Sequence, residues 1–386
     1  MKRIYLDYAA TTPVHPRVVQ EMQPFFCDRF GNPSSLHFFG QEAKMAVTTA
    51  RGRVAHLIGA WPEEIVFTSG GTEADNYALE GIAFAREDKG NHIIVSAIEH
   101  HAVLNCAKFL QSRGFQITYL PVGGDGLIDP AEVKKAITDK TILVSVMHAN
   151  NEIGTIEPLA EISKIVKEKE IILHSDAVQT VGHVPFNVDA LGVDLLSISA
   201  HKLYGPKGVG ALYVRKGTKM INLLHGGAQE SGHRASTENV PGIVGLGVAA
   251  EVVLGEMLAE RMRIIPLRDK LIKGILDKIP DVQLNGHPTL RLPNNVNLSI
   301  KYVEGEALLL NLDLQGIAAA SGSACSSGST ETSHVLQAIE LSPEVARGSV
   351  RFTLGRLVKE EEIDFVLETL PKIVEKLRKM SPLVSK

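Results

Sequence analysis

The chain has 386 residues, 44% hydrophobic and 22% charged, with 40 basic against 44 acidic side chains and a net charge of −4. The length implies roughly two domains around a large core. The charge gives no electrostatic reason to expect nucleic acid or an anionic membrane as partner, and no run reaches the about 18 apolar residues of a membrane span.

The opening Met1-Lys2-Arg3-Ile4-Tyr5-Leu6-Asp7 meets an acid before an apolar signal core can form, so no secretory signal is expected. Cys27, Cys106 and Cys325 are widely spaced and form no Cys-x-x-Cys pair. Without a disulfide framework the expected compartment is a reducing cytoplasm.

Residues 1–15 read as a short strand and turn, and Thr12-Pro13 with His15-Pro16 introduces a helix to about Phe30. The turn Gly31-Asn32-Pro33-Ser34-Ser35 leads to a long helix from about Gly40 to Leu57. A repeated pattern then begins, in which a short apolar run is followed by a small or polar cluster. Ile65-Val66-Phe67 runs into Thr68-Ser69-Gly70-Gly71-Thr72-Glu73, and Ile93-Ile94-Val95 is followed by Glu99-His100-His101. Ile142 to Val146 leads to His148 through Glu152, Ile171-Ile172-Leu173 to Asp176 through Gln179, and Leu195 to Ile198 to Ser199-Ala200-His201-Lys202. Short apolar strands alternating with helices predict an α/β fold, a mostly parallel sheet covered on both faces. Ligands of such sheets sit beyond the carboxyl ends of the strands, so five polar strand ends predict one pocket. After Val214 comes a long irregular connection. A helix from about Gly242 to Lys278 follows, bent near Pro266, and then short strands and helices of a smaller α+β part.

Lys202 stands where a strand ends against apolar residues. Burial disfavours its ammonium form, and a neutral amine can join a carbonyl as a Schiff base. Pyridoxal phosphate (PLP) is held in that way and needs an acid for its pyridine nitrogen and donors for its phosphate. Asp176 offers the acid and Gln179 a contact to the ring hydroxyl. Gly71 and Thr72 offer the donors at a helix start, where backbone N–H groups and the helix dipole favour an anion. Both Asp176 and the Thr68–Thr72 stretch also read as ordinary helix caps, and Lys202 as a surface lysine. His100 ends another strand and could stack on a cofactor ring and move protons. His100-His101 lacks the Glu-x-x-His context of zinc, and no stable metal site is expected. Cys325 lies among Ser, Gly and Ala from Ala320 to Thr330, a composition that cannot bury it, and reads as a reactive thiol. Cys27 and Cys106 sit in helical patterns and read as packing residues. Arg351, on the alternating run Ser349 to Leu354, offers a planar fork for a carboxylate or for a surface acid.

Taken together, Leu6 to Pro13, Gly31 to Ser35, Thr68 to Glu73, His148 to Gly154, Asp176 to Gln179, Ser199 to Gly210 and Ser321 to Ser327 resemble the motifs of the cysteine desulfurases of the NifS/IscS type, within the class V aminotransferases of PLP fold type I. The resemblance spans almost the whole chain. It implies a seven-stranded, mostly parallel sheet in a large PLP domain over 16–255. A small α+β domain would be built from 1–15 with 256–386 and carry the cysteine loop. It implies Lys202 as the Schiff-base lysine, Asp176 on the pyridine nitrogen, Gln179 on the ring oxygen and His100 stacked on the ring. Gly71, Thr72, Ser199 and His201 would hold the phosphate, with Thr237 reaching the cofactor of the second subunit of a homodimer. Asn151 and Arg351 would take the carboxylate of L-cysteine, and Cys325 would accept its sulfur as a persulfide for an iron–sulfur scaffold or another acceptor protein. Cys325 is also a candidate transient ligand of an iron–sulfur cluster. The family usually shows Ser-Gly where this chain has Ala235-Ser236. Relatives of the housekeeping type continue beyond the equivalent of Leu383 with a tail that helps dock the scaffold, so that contact is expected to differ here. A selenocysteine lyase, another PLP aminotransferase or β-lyase, and a persulfide carrier with little turnover are the alternatives.

Overall fold

The apolar runs read above become neighbours in one sheet. A computed structural model of the chain describes residues 3–321 and 332–380. In chain order its strands are β1 (Ile4–Tyr5), β2 (Ile65–Thr68), β3 (His92–Ser96), β4 (Gln116–Leu120), β5 (Thr141–Ser145), β6 (Ile172–Asp176), β7 (Leu195–Ser199), β8 (Gly210–Val214), β9 (Val282–Leu284), β10 (Asn295–Ile300), β11 (Ile317–Ala318) and β12 (Ser349–Thr353). The main sheet has seven strands in the order β2-β8-β7-β6-β5-β3-β4. It is parallel from β7 through β4, while β8 runs antiparallel to both β2 and β7.

Every residue of β3, β5, β6 and β7 is buried. Helices explain why. Gly71–Ala85 and His101–Ser112 cover one face, and Phe38–Ile58 and Val240–Lys278 lie against the other. Successive side chains of a strand point to opposite faces, and the two apolar layers divide accordingly. Ile93, Val95, Leu143 and Leu195 pack on the first face, Ile94, Val144 and Leu196 on the second.

The C-terminal part forms a three-stranded antiparallel sheet, β12-β10-β9. The N-terminus joins it: β1 pairs in parallel with β11, and Leu6 O accepts from Thr353 N at 2.7 Å. Residues at the two ends of the chain therefore meet beside the main sheet's carboxyl ends.

The predicted helix from residue 16 to 30 is in fact two pieces, Pro16–Met22 and Pro24–Cys27. Pro24 cannot donate an N–H to the preceding turn and so starts a new helix. Only Phe25 of the second piece is buried, which leaves Cys27 exposed and not a packing residue. Cys106 is buried as expected. The helix predicted from Gly242 starts at Val240 and runs unbroken through Pro266 for 39 residues. It is long and apolar enough to cross a membrane, but 67% of its apolar window is buried, as befits a core helix.

Candidate active site

The carboxyl ends of β2, β3, β5, β6 and β7 open on a cavity of about 280 Å³. Gly71, Thr72, His100, Asn151, Asp176, Gln179, Ser199, His201, Lys202 and Arg351 all line it. Ten residues drawn from six stretches of sequence thus converge as predicted. Thr237 does not line the cavity; it is exposed on the connection that follows β8. Cys325 lies outside the described residues.

Lys202 closes a short 3-10 turn, Ala200–Lys202, directly after β7. Its carbonyl meets His183 Nε2 at 3.0 Å, which pins the backbone. Its Nζ donates to the carbonyl oxygens of Ala9 and, at 2.8 Å, Ala10. The N-terminal segment is stitched to the same turn, since Thr12 N and Oγ1 both donate to His201 O. Sequence reading placed no site residue at Ala9 or Ala10, because a backbone carbonyl carries no residue-type signal.

Asp176 ends β6, is 6% exposed, and accepts one hydrogen bond from Val178 N at 2.9 Å. Burial raises its pKa, opposed by the charges of His100 and Lys202. Burial likewise lowers that of His100, opposed by Asp176. His100 Nδ1 accepts from Ala102 N, so the ring is oriented as the cap of helix His101–Ser112. Gln179 Nε2 donates to Ala9 O at 3.2 Å.

Gly71 opens the 15-residue helix Gly71–Ala85 beside Thr72. A Cβ on Gly71 would sit 2.9 Å from Val178 Cγ2, so only glycine leaves the cradle open. Gly210 permits the loop to lie there at all, since a Cβ on it would meet Gly70 C at 2.7 Å. His201 is held neutral, its pKa lowered to about 4 by burial and by Lys202 and Lys207, and its Nδ1 lies 3.1 Å from Thr11 Oγ1. The Gly71→Ala apoenzyme is expected to bind PLP roughly tenfold more weakly, the scale of a modest overpacking penalty. Titration of apoenzyme with PLP checks this; parent affinity would mean that the cradle lies elsewhere.

Arg351, in the middle of β12, is 3% exposed. Its Nη1 donates to Asn151 O at 3.0 Å and its Nη2 to Asp7 Oδ1 at 2.9 Å, while its Nε has no hydrogen-bond partner among the described residues. A buried guanidinium on the wall of the cavity suits a carboxylate ligand.

Sequence reading missed several buried acids, one of them on the wall of the cavity. Asp75 lines it, one turn after Thr72 on the same helix face, and burial raises its pKa well above the usual range. The i, i+3 spacing from Thr72 was the available signal. His174 Nε2 lies 3.6 Å from Asp75, and burial lowers its pKa to about 3. Glu99, directly before His100, is fully buried and accepts from Met147 N at 2.6 Å. Glu157 accepts from Ile128 N at 2.9 Å, and burial raises its pKa from 4.5 to about 8. The folded state then holds a proton that the unfolded state has released. Relative to Glu157→Gln, the parent should therefore lose stability as pH rises from about 5 to 8, by up to about 1.4 kcal/mol per pH unit, and level off above. Chemical denaturation of both holoenzymes across that range tests the assignment; parallel curves would refute it.

A parallel sheet whose strand ends bring together an amine, a buried acid and an open helix N-terminus defines a PLP-dependent enzyme. The buried Asp176 carboxylate, with a single hydrogen bond among the described residues, and the Gly71 cradle both fit that cofactor. The sequence model of the class-V aminotransferases matches residues 4–366. The chain is 58% identical over 383 residues to the cysteine desulfurase IscS of Dictyoglomus turgidum, covering 99% of this chain and 97% of that one. Its fold is similar to that of a solved NifS-like protein, with a TM-score of 0.92 and 39% identity over 97% of this chain and all of the other. It is also similar to SspA, solved in complex with cysteine, with a TM-score of 0.82 and 38% identity over 91% and 98% of the two chains. The chain belongs to the class-V aminotransferase family, among its cysteine desulfurases.

Proposed function

We propose that Lys202, Asp176, Arg351 and Cys325 divide the work of a cysteine desulfurase, the PLP-dependent activity that membership of this family gives the chain. The observation that carries the reading is the convergence of Lys202, Asp176 and the Gly71 helix start on one cavity. Bound there, PLP withdraws electrons from the substrate's Cα. Lys202 would hold the cofactor covalently and, as a free neutral amine, would take the Cα proton. Asp176 supplies the negative charge that keeps the pyridine nitrogen protonated. Gly71, Thr72, Ser199 and His201 would hold the phosphate, with His100 toward the ring and Gln179 toward the ring oxygen.

Arg351 and Asn151 bind the carboxylate of L-cysteine, an amino acid also bound by the solved relative SspA. The thiolate of Cys325 attacks the substrate sulfur, forming an S–S bond as the Cβ–S bond breaks. The electron pair of that bond stays with carbon, which takes a proton, and His100 is the acid placed to give it. The products are L-alanine and a persulfide on Cys325, which passes sulfur to an acceptor protein such as an iron–sulfur scaffold.

We place the protein in the cytoplasm as a homodimer in which Thr237, exposed on its connection, reaches the partner's phosphate. The large domain comprises 16–255 and the small one 1–15 with 256–386. The β1–β11 pairing supports joining the two chain ends. The boundary at 255 falls within the helix Val240–Lys278, which therefore serves both. The test is the mass of the Cys325 peptide after brief exposure to L-cysteine. One added sulfur is expected; an unchanged mass alongside alanine production would remove Cys325 from the reaction.

A further inference from the structure

The chain on both sides of residues 322–331 is tied to one place. Before them, Ala320 and Arg351 exchange backbone hydrogen bonds, Ala320 N to Arg351 O at 3.1 Å and Arg351 N to Ala320 O at 2.6 Å. After them, Ser333 Oγ donates to Glu152 Oε2 at 2.5 Å. Glu152 follows Asn151, whose carbonyl accepts from Arg351 Nη1. The Glu152 carbonyl in turn accepts from the side chains of Asn295 and Asn297, and Asn297 stands opposite Arg351 in the β10–β12 register. His334 Nε2 adds a second tie, 2.9 Å from the carbonyl of Glu99, the residue before His100.

Helix stability alone does not call for this arrangement. Ser333 already caps the five-residue helix His334–Ala338 by accepting from Val335 N and Leu336 N. Val335, Leu336 and Ile339 anchor that helix in an apolar cluster with Ile98, Met147 and Ile153. A carboxyl group 6% exposed costs stability when buried without a full set of partners. Burial raises the Glu152 pKa from 4.5 to about 7, against the opposing pull of Ser333 and Arg351. A buried acid between the Arg351 guanidinium and the chain eight residues after Cys325 suits transmission of position.

We propose that Glu152 and Ser333 are a positioning pair that couples the substrate-carboxylate site at Arg351 and Asn151 to the chain following Cys325, and so governs how fast that thiol takes sulfur. The proposal rests on Cys325 being the sulfur acceptor. Neither residue lines the cavity.

The test uses the holoenzymes of Glu152→Ala, Ser333→Ala, Glu152→Gln, Ser333→Thr and the Glu152→Ala/Ser333→Ala double variant. The absorbance change on mixing with L-cysteine reads substrate docking, and the mass of the Cys325 peptide reads persulfide. Each alanine variant is expected to slow persulfide formation about tenfold, the scale of a small misplacement of reacting groups. Docking should keep the parent's affinity. The double variant should be no slower than either single one, because both remove the same link. Glu152→Gln keeps an acceptor and Ser333→Thr keeps the hydroxyl and the cap, so both should recover most of the rate. Persulfide at the parent rate in both alanine variants overturns the proposal. So do equal losses of docking and persulfide, additive losses in the double variant, failure of the conservative variants to recover, or loss of cofactor and native melting in the alanine variants, each of which marks the pair as merely structural. Cys325→Ser separates this from the underlying reading. Persulfide on another cysteine in that variant removes the reading itself, whereas its absence together with parent rates in the alanine variants removes only the positioning pair.

Discussion

The Cys325→Ser holoenzyme should keep the cofactor's near-visible absorbance and its change on adding L-cysteine, yet release sulfide at least about a thousandfold more slowly, the scale of losing a nucleophile. A serine hydroxyl is scarcely ionised near neutral pH and does not attack divalent sulfur as a thiolate does. The other cysteines offer no substitute. Cys106 is buried, 3.9 Å from Glu80 Oε1, and burial together with that carboxylate pushes its thiol pKa up. Cys27 is exposed at the end of helix Pro24–Cys27 and does not line the cavity. Sulfide production by the serine variant at a rate near the parent's would remove Cys325 as acceptor and favour a β-lyase.

Lys202→Ala should lose both the covalent tether and the proton acceptor at Cα, with turnover falling at least about a thousandfold, within the range for deleting a general base. Lys202→Arg should be equally inactive, because a guanidinium stays protonated and offers no neutral amine. Borohydride reduction followed by peptide mapping reads the tether directly. The parent should carry the label at Lys202 and both variants should carry none. A label on another lysine of the parent would dismantle the site, since the Ala9 and Ala10 carbonyls, Asp176 and the Gly71 cradle are arranged around this one amine. PLP should still bind to the alanine variant, held by the phosphate contacts, so lost turnover with retained cofactor separates chemistry from binding.

Much of this site was legible in the residues. Apolar runs ending in polar clusters betray parallel strands, because the interior demands Val, Ile and Leu along the strand while the open end tolerates Thr, His, Asp and Lys. Lys202, Asp176 and His100 stood out for that reason, and each lines the cavity. Glycine at 71 carries its own signal, since a helix start that admits an anion needs room. Arg351 was less clear, because an arginine on an alternating strand looks the same whether it meets a surface acid or a substrate. In the structure it is 3% exposed, pairs with Asp7 and lines the cavity.

Residue types and their periodicity alone specified the α/β class, most of the buried strands and the set of strand ends that form the pocket, since burial on two faces imposes its pattern locally; the edge strand β4, where only Leu120 is buried, carries no such pattern. Folding alone settled which distant groups touch. That the Ala9 and Ala10 carbonyls receive Lys202, that Asp7 holds Arg351 and that Ser333 reaches Glu152 depends on contacts spanning up to 344 residues of chain. Such contacts arise from sheet register and from the pairing of β1 with β11, and backbone carbonyls and buried acids bear no mark in the sequence of the partner they will meet.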